Sequence, residues 1–351
     1  MWRMTNKILI NGKFLAQRTT GVQRYAREIL KSLDCLLPAC GLTFFLAVPK
    51  DAQDIPNFKN IRIVYKNKKA SIFWDQIWMP LYALSMKAHG LHLCTVGPVV
   101  KPDFVFLHDT NVQVNSQWFT KKVILWYSFI YRFCSKRAKK IFTVSNFSKN
   151  ELQRIYRIPD NRIDVIGAGW QHINEIGTVE ESLDKFNLQK KRFFFSLGTK
   201  APHKNMQWIL EYAAKHPYEQ FAISGSTYGK IFGKLQLKEL PNVHFLGYLS
   251  DSEVKTLMRN CKAFLFPSFY EGFGIPPLEA LSLGTPIVVS DIPVMREIFG
   301  TSAQYIDPAD SDVDLNALIN ESVASGYSIL ENYSWDKSAR KLLENLEDFY
   351  Q

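Results

Sequence analysis

Two carboxylates, Glu271 and Glu279, stand with seven residues between them in the stretch FLFPSFYEGFGIPPLEALSLG, Phe264 to Gly284. Inside that interval lie Gly272, Phe273 and Gly274, followed by Ile275, Pro276, Pro277 and Leu278. The run opens with an apolar strand, Phe264 to Phe266. The prolines predict a helix start, because a first helical turn has no partner for the N–H that proline lacks, and Gly284 predicts the stop. Strand, glycine loop and helix N-terminus in this order present backbone N–H groups and the positive end of a helix dipole to an anion. A carboxylate on either side suits hydroxyl groups. The ligand that combines these demands is a diphosphate joined to two hydroxylated rings, so the stretch predicts a nucleotide-sugar site.

Three further positions carry usable chemistry. Lys204 lies in Gly198-Thr199-Lys200-Ala201-Pro202-His203-Lys204-Asn205, between a strand and a helix. A lysine there adds a point charge with which to grip a diphosphate. His108 follows the apolar strand Asp103 to Leu107, and the carboxyl end of a strand is where open α/β sheets place ligands. Asp109, next to it, could orient the ring or cap the loop. Gly21 opens a helix from Val22 to Leu33, and a glycine there lets a ligand approach without meeting a Cβ.

The Glu271 to Glu279 stretch resembles the Glu, seven residues, Glu signature of the retaining glycosyltransferases of GT-B fold. More narrowly, it is similar to group 1 (family 4), which builds bacterial polysaccharides and includes mannosyl- and rhamnosyltransferases. The flanks Gly284-Thr285-Pro286-Ile287-Val288-Val289 and Ser290-Asp291-Ile292-Pro293 are similar as well, and the likeness is densest over residues 193–308. The resemblance implies two Rossmann-like doubly wound α/β domains facing a cleft, with a last helix crossing back to the first domain. It implies that Glu271 holds the sugar hydroxyls and Glu279 the ribose. Gly272, Phe273, Gly274, Ile275 and Leu278 would form the diphosphate cradle, and Gly247 and Tyr248 would sit by the base. Lys204 matches the lysine of the family's Pro-Arg-Lys-Asn element, but His203 stands where arginine is commoner. That leaves open whether His203 or Lys200 supplies a second cation. Gly21 would face the donor diphosphate, and His108 would lie near the acceptor and the reacting sugar.

The elements that must position these residues alternate along the chain. Strands are predicted at Lys7–Asn11, Thr43–Val48, Ile61–Tyr65, Asp103–Leu107, Ile141–Val144 and Arg162–Ile166 in a first half. A second half reads as strands at Arg192–Leu197, Phe221–Ser224, Val243–Leu246, Phe264–Phe266, Pro286–Val289 and Gln304–Ile306, with helical spacing between them. The expected division is an acceptor-binding domain over 1–170, a linker over 171–191, a nucleotide-sugar domain over 192–334 and a returning helix over 335–351. Gly167-Ala168-Gly169 lacks the third glycine and the strand-to-helix setting of a dinucleotide fingerprint.

Composition narrows the classes. The 351 residues are 46% hydrophobic and 22% charged, which suits a globular protein of two domains. Five scattered cysteines, with no Cys-x-x-Cys, argue against a disulfide framework or a zinc site and fit a reducing cytoplasm. The opening MWRMTNKILING turns polar too soon for a signal peptide, and no apolar run approaches the ~20 residues of a membrane span. The net charge of +10 comes without a zinc-finger or RNA-binding signature, so a nucleic-acid partner is not expected. An anionic membrane surface is the first candidate partner, and Lys121–Lys140, with seven basic residues among apolar and aromatic ones, could lie on it, pack Val123, Trp126, Ile130 and Phe133 on the sheet with its lysines solvated, or do both. Asp310-Ser311-Asp312 spells a metal-binding Asp-x-Asp but precedes a helix, where acids favour the dipole; no metal or other cofactor is expected. The activity expected is hexose transfer from a nucleotide diphosphate sugar, GDP-mannose by analogy, to a lipid-linked oligosaccharide, at the inner face of the plasma membrane. A nucleotide-sugar hydrolase or epimerase, or a non-enzymatic nucleotide-sugar-binding protein, would use the same cradle.

Overall fold

The computed structural model describes residues 6–94, 97–198, 201–225 and 240–351. The chain divides into two units. The first comprises Met1–Val114, Lys121–Ala168 and Tyr333–Gln351; the second comprises Asn115–Thr120 and Gly169–Asn332.

Among the described residues the first unit holds a seven-stranded parallel sheet of β1 (Lys7–Asn11), β2 (Thr43–Pro49), β3 (Arg62–Lys66), β4 (His89–His92), β5 (Phe104–Phe106), β6 (Lys140–Thr143) and β7 (Ile163–Val165). Their spatial order is β3-β2-β1-β4-β5-β6-β7. The second unit repeats the plan with β8 (Phe193–Leu197), β9 (Gln220–Ser224), β10 (Val243–Gly247), β11 (Phe264–Phe266), β12 (Ile287–Ser290) and β13 (Gln304–Ile306). These lie in the order β10-β9-β8-β11-β12-β13, again all parallel. Parallel strands are covered by helices on both faces, which is why they read as unbroken apolar runs such as FFFSL in β8.

Strand β4 escapes the sequence reading because HGLH has no apolar run or alternation. It is buried throughout by tertiary partners. His89 Nδ1 lies 3.3 Å from Asp103 Oδ1, and its ring meets Phe104, Phe349 and Tyr350. The segment 171–191, expected as a linker, carries the short helices His172–Glu175 and Glu181–Lys185. Ile173 and Leu183 on them are buried, and the segment groups with the second unit.

The helix Gly21–Leu36 covers the first sheet with Tyr25, Ala26, Ile29, Leu30 and Leu33, all essentially inaccessible. Its entry is fixed at Thr20, whose backbone N–H donates to Gln23 Oε1 at 3.3 Å. The chain's last helix, Trp335–Asp348, packs on this one, with Trp335 edge-on to Tyr25 at 5.5 Å and Leu342 and Leu346 fully buried. It thus returns to the first unit. Each such large apolar side chain contributes roughly 1.5–3 kcal/mol. In the second unit Phe194, Trp208, Ile209, Tyr212, Phe221 and Leu265 form the corresponding core.

Candidate functional site

The strand order of the second unit reverses between β8 and β11. Such switch points open a crevice beyond the carboxyl ends of the strands. After β11 the chain runs through a glycine loop into the helix Ile275–Ser282. Gly274 stands at the helix entry with φ 107° and ψ 54°, a left-handed conformation. That conformation favours glycine, and a Cβ there would also lie 3.0 Å from Met295 Cε and 3.3 Å from Pro277 Cγ. Pro276 and Pro277 carry no N–H, so only Ile275 among the first three helical residues has a backbone donor. The cradle is smaller than the four amides of an ordinary helix start, and side-chain charge has more to supply.

Lys204 supplies it. It ends the turn Pro202–Lys204 after β8, and Asn205 follows with φ 53° and ψ 45°, a conformation asparagine tolerates. Asn205 Nδ2 donates to the carbonyls of Pro267 at 2.9 Å and Pro308 at 2.8 Å. The Phe269 N–H donates to the His203 carbonyl at 2.8 Å. These bonds tie the segment after β8 to the segment after β11, and Lys204 Nζ meets Glu271 Oε1 at 2.6 Å. Both side chains are largely withdrawn from water. Removing one partner of a fully buried pair costs about 3–5 kcal/mol, less where some water reaches it.

Glu279 is buried on the same helix, and its Oε1 lies 2.8 Å from His172 Nε2. Burial, and then the neighbouring Lys204 charge, pull the His203 pKa down to about 3. His203 is therefore uncharged at neutral pH in the unliganded protein; Lys200 lies outside the described residues. Trp118, in the short segment that groups with this unit, lies against the rings of His203 at 6.3 Å and Phe269 at 6.0 Å. Gly247 ends β10 with φ 68°, and the Tyr248 ring after it is more than half exposed.

The first unit has its own switch point, between β1 and β4. Asn11 ends β1. Its Nδ2 donates to Asp75 Oδ1 at 2.9 Å, and its Oδ1 accepts from Trp74 Nε1 at 2.7 Å. Lys13 Nζ pairs with the other oxygen of Asp75. Asp75 lies in a π-helical turn, Trp74–Trp78, which widens the helix locally and lets both Trp74 and Asp75 be buried. Burial raises the Asp75 pKa, and Lys13 and Asn11 oppose that rise. Asn11, Lys13 and Asp75 wall a cavity of about 260 Å³, with Gln17, Thr20, Gln23 and Tyr127 among its other lining residues.

Leu93, also on that wall, accepts at its carbonyl from His108 Nε2 at 2.8 Å. His108 is buried edge-on to Tyr25 at 4.9 Å, and burial lowers its pKa to about 4. It is a neutral imidazole with its proton on Nε2, not a cationic acid. Asp109 Oδ1 accepts from the Asn111 N–H at 2.9 Å, so it caps the loop. Gly21 is exposed at the helix start, and a Cβ there would meet nothing within 4 Å.

The family model described as glycosyl transferases group 1 matches residues 178–342, which span Lys204, Glu271 and Glu279. The chain carries a group 1 glycosyltransferase domain. The O-antigen chain mannosyltransferase RfbU of Salmonella typhimurium is 28% identical over 267 residues, covering 73% of this chain and 72% of that one. The O-antigen chain mannosyltransferase B of Escherichia coli is 30% identical over 221 residues, covering 57% and 58%. Among solved structures, WaaG, a glycosyltransferase involved in lipopolysaccharide biosynthesis, superposes with a TM-score of 0.63 at 15% identity over 96% of this chain and 95% of that one. Anabaena Alr3699/HepE in complex with UDP gives 0.58 at 15% identity, over 98% and 96%. At these identities the likeness shows the fold alone, and the fold is GT-B.

Within this glycosyltransferase some expected site residues take other parts. The side chains of Phe273 and Leu278 are buried, and the Leu278 N–H goes to the Gly274 carbonyl at 3.3 Å. Leu278 therefore contributes packing and no donor. In the Asp-x-Asp stretch, Asp310 Oδ1 accepts from the Asp312 N–H at 2.8 Å, and Asp314 caps the helix Leu315–Asn320. Among the described residues no three acids, histidines or cysteines are grouped to hold a metal ion. Three features escaped the sequence reading. Asn205 follows the lysine directly and was open to inspection. Asp75 is the sole acid between residues 55 and 102, a signal in itself. His172 carries no local signal, since only the fold brings it to Glu279.

Proposed function

We propose that this glycosyltransferase moves one hexose, with GDP-mannose the favoured donor, to a hydroxyl of a growing lipid-linked bacterial surface polysaccharide, with retention of anomeric configuration. The names of the O-antigen mannosyltransferase relatives support polysaccharide biosynthesis and a mannosyl donor. The single observation that carries the reading is the Lys204–Glu271 pair at 2.6 Å beside the Gly274 helix entry. It sets a cation and a carboxylate side by side where a sugar diphosphate needs one of each.

On donor binding, Lys204 exchanges its partner Glu271 for the diphosphate, and Glu271 turns to the sugar hydroxyls. Glu279, oriented by His172, accepts from the ribose hydroxyls, and the exposed Tyr248 ring stacks on the base. The bond between the anomeric carbon and the phosphate oxygen breaks as the acceptor oxygen attacks on the same face. The acceptor proton passes to the departing phosphate oxygen, so no protein base is consumed. Lys204 and the few amides near Gly274 stabilise the charge that grows on the leaving group, the largest contribution in this scheme. No metal ion is needed for it. Neutral His108 positions sugar hydroxyls and does not donate a proton. The polar cavity around Asp75 takes the end of the acceptor glycan. The enzyme works in the cytoplasm, at the inner face of the plasma membrane where a lipid-linked acceptor lies.

The test is product analysis with a panel of nucleotide sugars, with and without bacterial lipid extract. Release of nucleotide together with sugar in the lipid fraction, only when lipid is present, supports the reading. Release without lipid makes the protein a hydrolase, and binding without release makes it a sensor.

A further inference from the structure

We infer that the helical segment 72–85, together with the edge strand β3, is the surface by which this enzyme rests on an anionic lipid bilayer. The inference rests on the proposal of a lipid-linked acceptor and assigns that reading a contact surface. Phe73, Ile77, Leu81 and Leu84 are 61%, 44%, 49% and 55% exposed. They follow one another by four, four and three residues, so they share one helix face. The opposite face, with Trp74, Met79 and Ala83, is sealed against the first unit's core. Monomeric proteins scatter exposed apolar side chains singly, and a row of four large ones marks a contact.

The charge around the row selects the partner. Residues 55–100 contain Lys59, Arg62, Lys66, Lys68, Lys69 and Lys87 against one acid, Asp75, and the exposed Asp51 beside them accepts from the Ala70 N–H at 2.8 Å. Asp75 is buried and paired with Lys13, so it offsets nothing at the surface. Lys66 Nζ sits 4.3 Å from the ring centre of Tyr82, and Lys68 Nζ 4.3 Å from that of Trp78. Ammonium groups therefore flank the helix itself. Strand β3 is the sheet's edge, and Tyr65 on it is largely exposed. An apolar row with a cationic rim and amphipathic rings fits the boundary between acyl chains and anionic headgroups. A two-fold contact between copies of the chain would instead set cations against cations. The helix Lys121–Arg137, a candidate for this role, exposes Leu125 and Phe129 and turns Ile130, Tyr131 and Cys134 inward.

Co-sedimentation of the full chain with vesicles of phosphatidylcholine and phosphatidylglycerol, mixed about two to one, tests this. Wild type binds these vesicles, binds pure phosphatidylcholine about ten-fold more weakly, and is released by salt. Ile77→Glu with Leu81→Glu lowers binding by about a hundred-fold, with thermal unfolding unchanged because both side chains are exposed. Lys66→Gln with Lys68→Gln and Lys69→Gln removes only the anionic preference. The inference is overturned if wild type binds neither vesicle, or if the Ile77 and Leu81 double variant binds like wild type. It is also overturned if Leu125→Glu with Phe129→Glu abolishes binding while the first double variant does not. A wild-type dimer that the first double variant makes monomeric, with vesicle binding intact, would assign the row to self-association instead. Transfer to a water-soluble acceptor glycoside reads the proposed activity separately. The double variant retains it, and an enzyme inert towards every acceptor would refute the activity without altering the vesicle result.

Discussion

At the carboxyl edge of β8 and β11 the polar groups form pairs that a nucleotide sugar could open: Lys204 with Glu271 in a salt bridge, and Glu279 with His172 at hydrogen-bond distance. At the carboxyl edge of β1 and β4 the polar groups lock one another instead. Asn11 holds Asp75 and Trp74, Lys13 pairs with Asp75, and a cavity remains beside them. The two sheets share one strand order, so the difference lies in the loops. A diphosphate donor has fixed charge, and a short motif can meet it with a cation, a few amides and two carboxylates. A glycan end offers neutral hydroxyls at many angles, and a wall gathered from several segments suits it better.

The comparison breaks first if charge at the second unit's edge is dispensable. Glu271→Ala or Lys204→Ala should lower kcat by about a hundred- to a thousand-fold with a fixed donor, read in single-turnover assays. Near-normal turnover in either would remove that residue from the reaction.

Acid should bear on the first unit more heavily. Burial lowers the pKa values of His92 and His108 to about 4, below the 6.5 of an unfolded imidazole. The unfolded chain then binds more protons between those values, so stability is complete above pH ~6.5 and is lost as pH falls towards 4. The loss is about 3 kcal/mol for each such histidine. Denaturant unfolding at pH 7 and pH 4.5 measures it, and His108→Gln should flatten the slope. An unchanged slope would mean that His108 is not held neutral by the fold.

Glu279→Ala should weaken donor binding about ten-fold or more, and His172→Ala by somewhat less, measured by titration with nucleoside diphosphate. If His172→Ala leaves affinity intact, Glu279 needs no orienting partner. The smallest change is expected from Asp75→Asn, which keeps shape and removes charge. It should raise the acceptor KM several-fold and leave donor affinity alone. A shift in donor affinity instead would end the separation of roles between the two edges.

The edge proposed here for the donor was largely legible as a local structure in sequence because its parts are contiguous. Glu271, the glycine loop, the prolines and Glu279 all fall between Phe264 and Gly284, and Pro202 to Asn205 adds a second short run. The cationic surface around the segment 72–85 was not. Its helix has apolar residues on both faces, Trp74, Met79 and Ala83 inward and Phe73, Ile77, Leu81 and Leu84 outward, so no stripe marks which face is buried, and β4 reads as polar because His89 and His92 are buried by partners far along the chain.

By itself the amino-acid order determined the alternation of buried strands and helices, the paired α/β plan and the residues that carry negative and positive charge to the carboxyl edge of β8 and β11. Those properties depend on neighbours within one or two turns. Only the tertiary structure decided that His172 reaches Glu279, that Asp75 turns inward while Ile77 and Leu81 turn out, and that His203 and His108 are neutral. Burial and pairing across a hundred residues are properties of the folded packing, and no local pattern encodes the water that folding removes.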